Sequence, residues 1–152
     1  MVNRKNCLRI LAFMLVFGMM GIFNINAQPD ASLNGTWISG LENRELRFNN
    51  GNYEVFADGI LLVRGTYTTN VDILTFRMAF FNAAHPYTPY YFDIPLQPRL
   101  YTRVELLNVP GLTEADLRIN IDISPKYIIS GNTLVLTWFY ENHQIIETLT
   151  KQ

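Results

Sequence analysis

From residue 33 onward, apolar and polar positions alternate in short runs broken by turn-forming pairs. The clearest run, Ile73 to Phe81, sets Leu74, Phe76, Met78 and Phe80 on one face and Thr75 and Arg77 on the other. A period of two puts one face in a core and the other toward water, as in a half-buried strand. Further runs cover Gly35 to Ser39, Arg44 to Phe48, Tyr53 to Ala57, Ile60 to Thr69, Leu100 to Leu107, Lys126 to Ser130, Thr133 to Phe139 and Ile145 to Lys151. Between them lie Asn34-Gly35, residues 49–52 (NNGN), Asp58-Gly59, residues 70–72 and Gly131-Asn132. These residues tolerate the positive φ that tight hairpins demand, so the pattern predicts an all-β antiparallel meander.

Two segments break the rhythm. Thr113 offers a helix cap, and Glu114 and Asp116 follow it in the first turn, where the helix dipole favours acids; one short helix is expected there. Residues 82–98 (NAAHPYTPYYFDIPLQP) carry four prolines, which exclude a regular central strand. A connection of that length in a small domain is usually functional or disordered, and Tyr87, Tyr90, Tyr91 and Phe92 argue against disorder. A weak internal repeat aligns Tyr67 to Phe76 with Tyr127 to Leu136, each placing an aromatic residue seven before a leucine. It reads either as one hairpin device used twice on a closed sheet or as shared turn chemistry.

The first residues carry a different signal. Arg4, Lys5 and Arg9 precede an apolar run from Ile10 to Phe23, followed by a short polar stretch ending at Ala27. This is the pattern of a cleavable secretory signal peptide over residues 1–27, and the run is shorter than the roughly 20 residues a membrane span requires. Cys7, the only cysteine, precedes the apolar core, where it cannot serve as a lipid-anchoring residue. The expected product is a domain of residues 28–152, periplasmic or extracellular and monomeric, with no stable membrane anchor after cleavage. Cutting there changes the charge: twelve basic residues become nine against thirteen acidic ones, a net charge of about −4. Such a surface has no electrostatic footprint for nucleic acid.

The ordered motifs Gly35-Thr36-Trp37, Leu46 to Tyr53, Gly65-Thr66-Tyr67 and Ser130 to Thr137 resemble a group of small exported bacterial lipocalin-like (calycin-type) domains. The Leu-Thr-Glu-Ala-Asp-Leu segment at 112–117 fits an insertion of that group, and the likeness covers nearly all of residues 33–151. It implies a β-barrel of about eight strands. It also implies that Trp37 packs across the closed end beneath a basic residue of the last strand. Lys151 is the nearest match, with Arg47 or Arg44 as substitutes, and Gly35 belongs to the same structural motif.

No catalytic constellation stands out. His85 and His143 lack the spacing of a zinc site and are expected to face solvent in loops. The serines at 32, 39, 124 and 130 lie in no nucleophile elbow. Glu45 with Glu54, and Asp93 with Glu105, read as surface charges. No metal or cofactor is expected and the chain is read as a non-enzyme. What remains is binding: an eight-stranded barrel is just wide enough to be filled or to hold one small molecule. Tyr87, Tyr90, Tyr91 and Phe92 form the expected ligand-binding set for a small hydrophobic or amphipathic molecule. The alternative is a protein-interaction or inhibitor module that uses the 82–98 loop as its contact surface.

Overall fold

The computed structural model describes residues 28–40, 43–140 and 142–152. The expected signal segment, residues 1–27 with Cys7, lies outside the described residues. The turn residues adopt the backbone their chemistry permits: Asn50, Gly51, Asp58, Gly59 and Gly131 all have positive φ. Between the turns run β1 (Gly35–Ser39), β2 (Arg44–Asn49), β3 (Asn52–Ala57), β4 (Ile60–Asn70) and β5 (Ile73–Asn82). Then come β6 (Leu100–Thr102), α1 (Arg103–Leu107), α2 (Glu114–Asn120), β7 (Lys126–Ser130), β8 (Thr133–Tyr140) and β9 (His143–Lys151). The sheet order is β4-β3-β2-β1-β9-β8-β7-β5-β6, and β4 also pairs with β5, so eight strands close an antiparallel barrel. The all-β antiparallel fold is therefore as the alternation predicts, and its closure as a barrel of eight strands is as the resemblance implies.

The strand phase departs from the expectation at the end of β5, where a register shift against β4 turns Phe80 outward under Arg64 and buries Phe81 instead. A second departure concerns a whole element. Leu100 to Leu107 is not one strand: pairing with β5 stops at Thr102, and α1 begins at once. Thr102 and Glu105 form a capping box, in which Thr102 Oγ1 accepts from the Glu105 N–H (3.2 Å) and Glu105 accepts from the Thr102 N–H (2.8 Å). That local exchange satisfies two backbone donors and starts a helix where apolar content alone suggests a strand. The expected helix at Thr113 is present as α2, with the same kind of box between Thr113 and Asp116.

The barrel wall is thinnest between β5 and β7, which share only the Ile73–Lys126 pair. Beyond it, the segment after α2 takes over the edge of β5. Pro125 O accepts from Leu74 N (2.9 Å), Ile123 O from Phe76 N (3.1 Å), and Asp122 Oδ1 from Met78 N (2.7 Å). Arg103 bonds Asp122 (2.6 Å) and also Glu114, tying α1 and α2 to the same edge.

The opposite end is plugged. Trp37 is fully buried and donates its indole N–H to Leu33 O at 2.6 Å. Lys151, its register partner on β9, places Nζ 5.1 Å from the ring centroid, within cation–π range. Gly35 makes this possible: at φ 123° it leaves room for Lys151, whose Cε would stand 2.9 Å from any Cβ there. Arg47 instead lies over Phe56 and Arg44 points to Glu147, so neither stands in for Lys151. The repeated tyrosines seal the same end, Tyr67 bonding Asn34 (3.4 Å) and Tyr127 bonding Asp30 (3.0 Å).

Candidate functional site

Inward positions on neighbouring strands change character along the barrel. On β2 they run Phe48, Leu46, Arg44; on β9, Leu149, Glu147; on β8, Leu134, Leu136, Trp138. Near the plugged end the rings interlock, Phe48 edge-on to Tyr67 at 5.0 Å, while Tyr53, edge-on to Phe76 at 4.7 Å, marks with it the floor of the open space. Toward the other end lies a cavity of about 90 Å³. Its lining includes Arg44, Tyr53, Tyr91, Trp138 and Glu147, with Asn120 and Ile121 closing it from the end of α2. Val55, Leu62, Val63 and Leu136 supply apolar wall.

The charged pair is placed by register. β1 ends at Ser39, opposite Leu149, so Glu147 lies two residues beyond the last β1–β9 pair. Arg44 opens β2 on the other side of β1 and reaches Glu147 there, Nε donating to Oε1 at 3.1 Å and Nη2 to Oε2. Glu147 is only 2% exposed. The bidentate geometry gives two charge-assisted hydrogen bonds, which offset part of the desolvation cost of burying the ions.

Tyr53 is the second polar group. It is 3% exposed, and among the described residues its hydroxyl has no hydrogen-bond partner. Burial is the main force pushing its pKa far above the usual tyrosine value, with the Asp122 charge adding to it and Arg103 opposing. The hydroxyl therefore stays protonated. A buried donor without an acceptor costs free energy, about 1–3 kcal/mol, that an acceptor brought in by a guest would recover.

Of the four aromatic residues expected to bind, Tyr90, Tyr91 and Phe92 share a surface pocket with Ile119 and Tyr140, but only Tyr91 reaches the internal cavity. Tyr91 lines the cavity and packs edge-on to Phe81 at 5.9 Å. Phe92 is buried against the same Phe81 at 5.3 Å and belongs to the core. Tyr87 lies on the outer side, donating to Asp58 Oδ2 at 2.9 Å, and its ring meets that of Tyr90 at 6.0 Å. Tyr90 is 83% exposed. The loop is thus divided at Tyr90–Tyr91 into an outward half and an inward half.

His85 departs from the expected solvent-facing loop residue. It is buried, with Nε2 bonded to Ala57 O (3.0 Å) and Nδ1 accepting from Tyr87 N (3.1 Å), so it pins the loop to the end of β3. His143 is exposed at the start of β9. Among the described residues no group of three or more His, Cys, Asp or Glu side chains is placed to hold a metal ion. Glu45 pairs with Arg47 and Glu105 with Arg99, so both carboxylates have cationic partners in the structure.

Reasoning from sequence missed Arg44, Tyr53, Trp138 and Glu147 as site residues. A signal existed for two of them: Arg44 shares the inward phase of Leu46 and Phe48, and Glu147 that of Leu149. Comparison of the chain with protein-family models, with curated proteins and with solved structures returns no match.

Proposed function

We propose that this chain is a non-enzymatic, exported lipocalin-like binding domain that holds the polar end of a small amphipathic molecule inside its barrel. The observation that carries this reading is the Tyr53 hydroxyl, buried and without an acceptor, on a cavity whose two charged groups, Arg44 and Glu147, already neutralise each other. Small-molecule sites are typically apolar with a few placed polar groups, and barrel interiors are a common location. The Lys151–Trp37 stack on Gly35 supports the lipocalin-like reading, and the charge and hydropathy pattern of residues 1–27 supports export to the periplasm or beyond.

Native mass spectrometry of the protein isolated from the cell that makes it tests the reading. A retained small molecule, lost in Tyr53→Phe, is the expected result. Bare protein in the wild type counts against it. One observation favours the second reading, a protein-interaction module: Tyr90 stands almost fully in solvent on the 82–98 loop. On that reading Tyr90→Ala abolishes partner capture and Tyr53→Phe leaves it intact.

A further inference from the structure

We propose that the barrel is loaded through its side wall, past Trp138, by a single-chain amphiphile with a small uncharged polar head; this rests on the cavity reading above. Outside the wall, α2, β7 and β8 border a groove of about 600 Å³. Ile119, Phe139 and Tyr140 line it, and all three are exposed apolar side chains. Trp138 and Ile123 line both the groove and the internal cavity, so these two side chains form the partition between them. The groove sits at the β5–β7 seam, where strand pairing gives way to the 122–125 segment: Ile73 and Lys126, the one β5–β7 pair, are on its lining with Ile123 and Ser124.

Volume decides which end of a guest goes where. The cavity of about 90 Å³ equals about three water shares at roughly 30 Å³ each, enough for a polar head and its first carbons. The groove of about 600 Å³ is within the range of roughly 300–1,000 Å³ that accommodates a drug-sized molecule. The head enters the cavity and the chain stays in the groove. Charge decides the head. Arg44 and Glu147 neutralise each other, and Tyr53 offers a donor, so an uncharged acceptor such as an alcohol is the match. A carboxylate would bring a second negative charge beside buried Glu147, at a desolvation cost that Arg44, already committed to Glu147, does not cancel.

The test uses 1-decanol and decanoate on the full domain. The chain has two tryptophans, and Trp37 is fully buried at the far end, so an emission change on decanol binding reports Trp138. Decanol is expected to bind and shift the emission, with decanoate weaker by at least about tenfold. Ile119→Asp, on an exposed groove wall, should weaken decanol by roughly tenfold. Ile128→Ser, exposed on the outer face of β7 and on neither lining, should leave affinity unchanged. Trp138→Ala should speed association and dissociation by about tenfold, read from NMR line shapes of the cavity-lining Leu136 methyls. Absence of decanol binding overturns the inference, as does a neutral Ile119→Asp. If Tyr53→Phe weakens decanol but Trp138→Ala leaves the rates unaltered, side loading falls and the cavity reading stands. If the native mass spectrum also shows bare protein, both fall.

Discussion

Arg44 and Glu147 meet inside the barrel beyond the end of β1, two strands that do not pair with each other supplying one bidentate ion pair. Removing Arg44 leaves the Glu147 carboxylate buried and unpaired, whereas Arg44, 23% exposed, can still reach water when Glu147 is removed. Arg44→Met alone should cost about 3–5 kcal/mol and Glu147→Leu less, whereas the double replacement should restore most of the Arg44→Met loss. Urea unfolding of the two single variants and the double variant checks this. Additive losses would show that the pair is not coupled in the way the geometry requires.

Gly65 tests the barrel's tightest backbone contact. It stands at a register shift between β4 and β5, and a Cβ there would lie 2.0 Å from Arg77 O. Gly65→Ala should therefore destabilise by about 3 kcal/mol or more. Gly59→Ala, at φ 76° but with nothing within 4 Å, should cost only about 1 kcal/mol. Thermal unfolding of both variants orders them, and equal losses would refute the steric account.

Val71 is strained where the hairpin chemistry is wrong. It takes φ 55° at the β4–β5 turn and is 91% exposed, a position that favours glycine or asparagine over a β-branched residue. Val71→Gly should raise stability by roughly 0.5–1 kcal/mol. An unchanged or lower unfolding midpoint would contradict this.

Acid should loosen α1 through Glu105. Its carboxyl is held at about 2, below the ordinary 4.5, first by the Thr102 backbone N–H, then by the Thr102 hydroxyl and by Arg99. A depressed carboxylate contributes stability that is present above its unfolded pKa and lost as pH falls through the folded one. The contribution should thus be full above about pH 4.5 and disappear toward pH 2. Glu105→Gln should flatten the pH dependence of the melting temperature in that window. A slope equal to the wild type's would place the acid sensitivity elsewhere.

The barrel was readable because alternation and turn chemistry are local properties. Leu74, Phe76 and Met78 are buried as their phase demands, Phe80 is not because the β4–β5 register shifts before it, and Asp58, Gly59 and Gly131 turn the chain where they stand. Local capping misled the reading at Arg103–Leu107, since the Thr102–Glu105 exchange outweighed a run that could equally form a strand. The site was less legible because it depends on which strands become neighbours. Arg44 and Glu147 are 103 residues apart, and only the β2-β1-β9 order brings them together. The aromatic loop was conspicuous in composition, but burial of His85 and Phe92 fixes it so that only Tyr91 of the expected set reaches the cavity.

The most direct measurement is an NMR titration of tyrosine-labelled protein with a protein-free extract of the cells that produce it. The account predicts a saturable shift of Tyr53, on the cavity, with the Tyr67 signal at the plugged end unmoved. An unmoved Tyr53, or shifts confined to Tyr87 and Tyr90 on the outer half of the loop, would contradict it.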